Sequence, residues 1–350
     1  MKYLWLAAAV MAAGCGVAGV KPSAPASCGG AVAPSRLGAI HFLSPAVGVG
    51  LTTPTRRCSA MLAVSRDGGR HWATEGSGFP GAGRPEQLVA TSTSRAWAVV
   101  GAGRLISTAD GGANWTPDTP PSRAIALARS GRTLWMIECL GGSDSSCWSV
   151  LLRKSLPNGA LTISSPKLAP KPTPELAFAG GRRVAISEGG NLVIISGRGR
   201  RFVTLSDPLW MGRPCQAGAF AAAGPSWWLL CLGGAAAGSS EKALLDTTDG
   251  GRIWTTASQV TSLTASPSPG AITLEEPQAM AAAAPDRLWL AAENNLYQSA
   301  DGGATWIRVP GPDLQGSPAA FDVLSATHAW LLAPGHGLWR TTDGRHWSAL

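Results

Sequence analysis

The sequence predicts an all-β fold, a seven-bladed β-propeller of four-stranded blades with Asp-box turns, from three observations. An octapeptide built around Asp and Trp recurs along the 350 residues. A short apolar strand carrying a Trp keeps step with it, and Gly, Pro and Ser punctuate the segments between them. Four short strands in each repeat of about 40–50 residues are typical of propeller blades.

The octapeptide gives the repeat its landmarks. It reads SRDGGRHW at 65–72, TADGGANW at 108–115, TTDGGRIW at 247–254 and SADGGATW at 299–306, with a shortened copy, TTDGRHW, at 341–347. Each copy carries one Asp and one Trp, which are Asp67 and Trp72, Asp110 and Trp115, Asp249 and Trp254, Asp301 and Trp306, and Asp343 and Trp347.

A wide gap between Asp110 and Asp249 predicts two degenerate copies. SGRGRRF at 196–202 matches the shortened form, and SLPNGALT at 155–162 is accepted because the period requires it. Strands with a Trp accompany the copies: AWAVV, LWMIE, WWLLC, LWLAA and AWLLA. A run of small apolar residues lies ahead of each such strand, and another strand leads into the octapeptide. These elements together predict seven four-stranded units.

The pattern Ser/Thr-x-Asp-x-Gly-x-x-Trp resembles the Asp box of BNR-repeat propellers over residues 36–350. That superfamily includes sialidases, xyloglucan-active glycosidases, sortilin-type receptors and photosystem II assembly factors. The resemblance implies that each box is the turn between the third and fourth strands of a blade. It is specific for the fold and says little about function.

Two roles are open to the box carboxylates. An Asx-type carboxylate accepts hydrogen bonds from backbone N–H groups two or three residues further on, while the glycines adopt positive φ and the Trp packs into the blade. The alternative is a ligand for calcium or for a surface molecule. We expect the structural role.

The N-terminus predicts export. Residues 1–15, MKYLWLAAAVMAAGC, have the pattern of a signal peptide, and Ala13–Gly14–Cys15 resembles a bacterial lipobox. Lipidation of Cys15 would anchor the chain outside the cytoplasmic membrane. Ordinary cleavage or an uncleaved anchor over residues 3–20 are the alternatives. Residues 16–35 read as a flexible tether, and residues 36–350 as the propeller.

Six cysteines remain besides Cys15, which is an even number, as expected of an exported protein with disulfides. Six cysteines allow fifteen pairings. Proximity in sequence favours Cys28–Cys58, Cys139–Cys147 and Cys215–Cys231. Paired Cys-x-x-Cys spacing is absent, so no metal site is expected, and no cofactor is expected either.

The formal charge of +8 arises mainly from arginine, with clusters at 182–183 and 198–201. In an exported protein these clusters favour a solvated basic rim, an acidic partner or the membrane surface over nucleic acid.

An enzymatic role is not favoured. Sialidase chemistry needs a Tyr nucleophile and three arginines, whereas Tyr3 lies in the signal segment and Tyr297 in a repeat strand. A glycosidase with two carboxylates stays open, with Glu275 and Glu276 in LEEPQ the most site-like pair. Trp148, Trp210 and Trp227 are the aromatic candidates for glycan contact.

In propellers the first strand of each blade lines the central channel, so residues near the start of each first strand are candidates for a binding site at one mouth. They are His41, Glu86, Gln87, Arg123, Glu175, Gln216, Gln278 and Asp322. His41 and Asp322 take matching positions in blades one and seven, which become neighbours when the ring closes. They form either a ligand contact or, as we favour, a structural pair.

We therefore expect a non-catalytic, membrane-tethered extracytoplasmic propeller that acts as a binding, scaffold or assembly-factor-like protein. Its expected partner is a protein or membrane complex outside the cytoplasm. The alternative is a glycan-binding or glycoside hydrolase propeller that uses carboxylates at the channel mouth.

Overall fold

The computed structural model describes residues 28–79, 83–117, 123–130, 133–140, 149–155, 161–163, 175–179, 183–188, 191–196, 201–205, 208–236, 239–262, 268–316 and 320–350. These residues form antiparallel strands and one short 3-10 turn, Pro34–Arg36, so the all-β prediction is confirmed. Residues 1–27 with Cys15, the Cys139–Cys147 pairing and the turns of the two degenerate boxes lie outside the described residues.

The first three sheets follow the chain in order. Their strands are β1 Ala31–Val32, β2 Leu37–Phe42, β3 Gly48–Thr52, β4 Ala60–Ser65 and β5 Trp72–Phe79 in the first sheet, β6 Pro85–Ala90, β7 Ala96–Val100, β8 Arg104–Thr108 and β9 Thr116–Pro117 in the second, and β10 Arg123–Ser130, β11 Thr133–Leu140, β12 Ser149–Ser155 and β13 Leu161–Ile163 in the third.

Four further sheets and one hairpin complete the described part of the chain. The strands are β14 Glu175–Ala179, β15 Arg183–Glu188, β16 Asn191–Ser196 and β17 Arg201–Leu205 in the fourth sheet, the hairpin β18 Leu209–Trp210 and β19 Arg213–Pro214, β20 Gln216–Ala223, β21 Ser226–Ala236, β22 Ser239–Thr247 and β23 Thr255–Val260 in the fifth sheet, β24 Pro277–Ala284, β25 Arg287–Ala292, β26 Asn295–Ser299 and β27 Ile307–Arg308 in the sixth, and β28 Ala320–Val323, β29 Ala329–Ala333, β30 Gly337–Thr341 and β31 Trp347–Ala349 in the seventh.

The sheets are arranged around their first strands. Each first strand contacts the first strand of the next sheet, from β2 through β6, β10, β14, β20 and β24 to β28. β28 in turn contacts β2, so the last sheet lies beside the first. First strands rich in small residues, such as QAGAFAAA in β20 and PQAMAAAA in β24, allow this close approach.

The hydrophobic core lies between successive sheets. One buried cluster joins the first and second sheets, and others join the fifth to the sixth and the sixth to the seventh. The cluster at the junction of the last and first sheets includes Phe42, Trp72 and Trp330. Phe42 stacks on Trp330 with ring centroids 3.5 Å apart, so aromatic packing supports this junction.

The N-terminal end of the described residues pairs with the outer strand of the first sheet. The tether expected over residues 16–35 is shorter at its C-terminal end, because Ala31 and Val32 pair with Ala73 and Trp72 at the outer edge of the first sheet. Strand β1 therefore adds a fifth strand to the first sheet. Within the described residues, the outer strand of the last sheet is the short β31, which pairs with β30.

Candidate functional site

The predicted site residues lie at one end of the sheets. In each sheet the start of the first strand pairs with the end of the second, as Pro85 does with Val100 and Gln216 with Leu232. The Asp boxes follow the third strands and lie at the opposite ends. We call the end at which the first strands begin the mouth face, and the other the box face.

Most candidates for the binding site occupy this mouth face. Glu86 and Gln216 are exposed, whereas Gln87, Arg123 and Gln278 are partly buried. Glu175 begins β14, but its side chain lies outside the described part of the chain. His41 and Asp322 lie further along their strands, opposite Val49 and Trp330, and therefore closer to the box face. The ring of first strands thus brings most of the candidates to one end of the sheets, and it places one pair of candidates side by side nearer the other end.

That pair is His41 and Asp322. The His41 Nδ1 lies 3.6 Å from the Asp322 Oδ1, and both side chains are mostly buried. The other carboxylate oxygen, Oδ2, accepts a hydrogen bond from the backbone N–H of Phe42. Asp322 therefore ties the seventh sheet to the first, which supports the structural interpretation of this pair.

Two mouth-face glutamines also bond to the backbone. Gln87 Oε1 accepts a hydrogen bond of 2.6 Å from the N–H of Leu127 and so joins the second sheet to the third. Gln278 Nε2 donates to the carbonyl of Glu293 at 3.2 Å. These backbone bonds hold both amides in one orientation within the rim of the mouth face.

A polar cluster that sequence reasoning missed lies between the fifth and sixth sheets. Lys242 is fully buried, and its Nζ donates to the carbonyls of Ser240, Thr273 and Glu275, each at 2.9 Å. Desolvation lowers the pKa of Lys242 from 10.5 to about 8, although the charges of Glu276 and Glu275 partly oppose that change. Lys242 thereby fixes the segment that leads into β24.

The carboxylate of Glu275 belongs to the same cluster. Its Oε1 accepts hydrogen bonds from Asn295 Nδ2 at 2.6 Å and from the Tyr297 hydroxyl at 2.7 Å. Burial raises the pKa of Tyr297, and the bond to Glu275 raises it further. Glu275 thus links the segment that leads into β24, the first strand of the sixth sheet, to β26, the third strand of the same sheet. One of its two carboxylate oxygens serves this structural role.

The Asp boxes share the contacts of their Ser or Thr hydroxyl and of their carboxylate, which SADGGATW illustrates. In SADGGATW the Ser299 hydroxyl donates to Asp301 Oδ1 at 2.8 Å and accepts from the N–H of Gly303 at 2.8 Å. Asp301 Oδ1 also accepts from the N–H of Thr305 at 2.9 Å. The Trp306 Nε1 donates to the carbonyl of Gly303 at 3.0 Å. Both glycines have positive φ, 75° and 96°, which explains the Gly-Gly pair.

Each box carboxylate is stabilised in its charged form. The ring and backbone N–H of His346 donate to Asp343 and hold its pKa well below the ordinary value. Burial alone would raise the pKa of Asp301, but the bonds from Thr305 and Ser299 outweigh it and the net shift is downward. The same pattern lowers the pKa of the remaining box acids, Asp67, Asp110 and Asp249.

An open cleft of about 440 Å³ lies on the box face between the sixth and seventh sheets. Its lining consists of Ala284, Asp286, Arg287, Ala326, Thr327, Asp343, Arg345 and His346. The guanidinium of Arg287, one of the lining residues, donates to the carbonyl of Asp343 at 3.2 Å. This charged cleft lies on the face opposite the predicted site.

Within the described ranges no group of three or more His, Cys, Asp or Glu residues is placed to hold a metal ion. The same ranges contain no helix with the length and apolar character needed to cross a bilayer. The disulfides Cys28–Cys58 and Cys215–Cys231 are both present and indicate an oxidising, extracytoplasmic environment.

Two of the three aromatic candidates for glycan contact are buried. Trp227 has no exposed surface, and Trp210 is 9% exposed and packs in the core of the fifth sheet. Trp148 lies outside the described residues. Neither Trp210 nor Trp227 therefore exposes enough of its ring to stack against a sugar.

Comparison with known proteins defines the class of fold. No family model matches the chain, and no curated protein matches its sequence. Among solved structures it is similar to YCF48 bound to D1 peptide, at 16% identity and a TM-score of 0.62, over 92% of this chain and 98% of that one. It is also similar to YCF48 from Cyanidioschyzon merolae, at 14% identity and a TM-score of 0.59, over 89% of this chain and 98% of that one.

A third similarity is to an ancestral GH74 enzyme, at 10% identity and a TM-score of 0.63, over 91% of this chain and 46% of that one. This chain therefore spans about half of that enzyme. Together these likenesses assign the β-propeller fold, as the sequence predicted.

Proposed function

We propose that this chain is a non-catalytic, seven-bladed Asp-box propeller, tethered outside the cytoplasmic membrane, that binds a polypeptide of a membrane complex at its mouth face. The observation that carries the proposal is the polar rim, where Gln87 and Gln278 are fixed by backbone bonds and Glu86 and Gln216 are exposed. Exposed polar groups on a rim whose neighbouring side chains are already ordered suit an extended peptide, because little conformational entropy is lost on binding.

The likeness to YCF48 supports a polypeptide ligand. It covers nearly the whole of both chains, and one of these structures is of YCF48 bound to D1 peptide. The seven sheets and their ring of first strands support seven blades in one closed propeller.

Tethering is proposed from the N-terminus. Cys15 follows a signal-peptide pattern and would carry the lipid, and the segment after it would connect the lipid to the propeller. Mass spectrometry of the mature N-terminus tests this proposal. A diacylated Cys15 supports it, and cleavage at another residue or an intact N-terminus contradicts it.

Capture of the partner tests the function itself. The anchored protein is crosslinked mildly in its own membranes, purified and analysed by mass spectrometry beside a Cys15→Ala variant. We expect one membrane-complex polypeptide in stoichiometric amount, reduced in the variant. Recovery of no protein partner contradicts the proposal.

Carbohydrate binding is the second candidate, supported by the likeness to a GH74 enzyme and by Glu275 and Glu276 at the mouth face. Glu275 is engaged with Asn295 and Tyr297, and Trp210 and Trp227 are buried, so the rim offers few groups for a sugar. Hydrolysis of xyloglucan that is lost in Glu276→Gln would favour this candidate over the first.

A further inference from the structure

Exposed arginines line the mouth face of the first two sheets. Arg36 and Arg84 directly precede the first strands β2 and β6, while Arg104 begins β8. Two more lie in the loop between β3 and β4. This set, which we call the arginine arc, is Arg36, Arg56, Arg57, Arg84 and Arg104. Among the described residues of 28–117, the exposed carboxylate on this face is Glu86, so the arc is a region of strong positive charge.

The chain outside the described residues ends beside this arc. Residues 1–27 lead to Cys28, which is bonded to Cys58, the neighbour of Arg57. The loop that carries Cys58 joins the second strand to the third and therefore lies on the mouth face. Residues 16–27 reach at most about 45 Å when fully extended. A lipid on Cys15 would thus hold the mouth face within this distance of the bilayer.

A hairpin on the same face exposes two large apolar side chains. Leu209 is 65% exposed and Met211 is 68% exposed, and the exposed Arg213 follows them. The turn places Met211 and Gly212 at positive φ, 53° and 72°. Because the hairpin directly precedes β20, it lies at the mouth end of the fifth sheet.

The hairpin is held rigidly. Trp210 packs in the core of the fifth sheet, and its Nε1 donates to Gln259 Oε1 at 3.2 Å. Cys215 closes the base with a hydrogen bond of 3.0 Å to the carbonyl of Pro208 and a disulfide to Cys231. The exposure of Leu209 and Met211 is therefore fixed by the fold, and docking through them requires little further ordering.

We propose that the mouth face docks on an anionic phospholipid bilayer. The arginine arc contacts the headgroup phosphates, and Leu209 and Met211 enter the interfacial region beside Arg213. This combination of basic and apolar groups is the one that peripheral membrane proteins use. The proposal rests on the tethering in the proposed function, because the position of Cys28 brings this face to the membrane. Docking would place the polar rim where segments of membrane proteins emerge.

An environment-sensitive fluorophore tests the docking. The full chain, reconstituted in nanodiscs, carries the label on Met211→Cys or, as a control, on Ile253→Cys. Ile253 is equally apolar and 69% exposed but lies in an Asp box on the other face. The unsubstituted chain, labelled in the same way, gives the background from its own cysteines. Nanodiscs consist of phosphatidylcholine alone or mixed with phosphatidylglycerol.

We expect a blue shift and quenching by nitroxide-labelled lipid for residue 211, stronger with phosphatidylglycerol, and neither effect for residue 253. Arg56→Glu with Arg57→Glu should abolish the dependence on phosphatidylglycerol, whereas Arg252→Glu on the box face should leave it unchanged. Each lost arginine should weaken docking about fivefold.

A label at residue 211 that stays in water, or one that behaves as at residue 253, would overturn the docking. A blue shift that needs added membrane protein would overturn it in favour of a protein partner. The capture experiment separates this failure from that of the proposed function. If the chain still binds its polypeptide partner while the label at residue 211 stays in water, the docking is refuted and the proposed function is not.

Discussion

The indole Nε1 of Trp330 donates a hydrogen bond of 3.0 Å to the carbonyl of Gly68, which lies 262 positions earlier in the chain. Gly68 belongs to the Asp box of the first sheet, and Trp330 to the second strand of the last. Trp228 makes the equivalent bond of 2.9 Å to Gly302 between the fifth and sixth sheets. The junction between the chain ends therefore uses the same contact as an internal junction.

Replacement of Trp330 by Phe should weaken this junction. The ring could still stack on Phe42, but the carbonyl of Gly68 would lose its donor. We expect a loss of about 1–3 kcal/mol in the free energy of unfolding, measured in urea. Trp228→Phe is the matched control and should lose a similar amount. An unchanged stability for Trp330→Phe would contradict the role of this bond.

The buried Lys242 should make the free energy of unfolding depend on pH in the alkaline range. Its pKa is lowered to about 8 in the folded protein, so between pH 8 and 10.5 the unfolded chain holds a proton that the folded one has released. Stability therefore rises with pH across that window relative to a Lys242→Met variant. At pH 7 the variant should lose about 2–4 kcal/mol, because three carbonyls lose their donor.

Unfolding of both proteins in urea from pH 7 to 10 measures this difference. A difference that stays constant with pH would mean that the Lys242 ammonium is not desolvated in the folded protein.

The Asp boxes predict a loss of stability in acid. Because the pKa of Asp343 is lower in the folded protein than its ordinary value of 3.8, its contribution is present at neutral pH. That contribution disappears as the pH falls below about 4. Asp343→Ala should be about 1 kcal/mol less stable than the original protein at pH 7, since the group is largely exposed, and this difference should shrink as the pH falls below about 4. Asp286→Ala, an exposed acid outside the boxes, should match the original protein throughout the urea titrations.

Removal of the disulfide Cys215–Cys231 should lower the stability strongly, although the hairpin whose base it closes lies at the surface. It closes a loop with a sequence separation of 16, so Cys215→Ser with Cys231→Ser should lower the free energy of unfolding by about 3 kcal/mol. Hydrogen exchange should show faster exchange in residues 208–215, whose base it closes. Protection unchanged in that hairpin would mean that Trp210 alone fixes it.

The boxes made the fold readable from sequence because each one needs Asp, at least one glycine and Trp for local reasons. The same residues do not indicate a ligand, because both carboxylate oxygens of Asp301 accept hydrogen bonds from Ser299 or Thr305. His41 and Asp322 were also predictable, as matching positions in strands that a closed ring makes neighbours.

Other features depended on contacts between distant segments. Nothing local marks Lys242 as buried, since its three acceptors include carbonyls more than thirty positions away. The hairpin LWMGRP has no repeat counterpart, so no period could place it. Strand β1 consists of two residues and exists only because β5 leaves its outer edge available.

The most direct test of the central claim is site-specific photo-crosslinking in the native membrane. A photoreactive amino acid replaces exposed Glu86 or Gln216 on the mouth face, or exposed Arg345 on the box face. We predict that both mouth-face positions crosslink to the same membrane-complex polypeptide and that position 345 does not. Crosslinking of that polypeptide from position 345 alone, or from none of the three positions, would contradict the mouth face as the binding site.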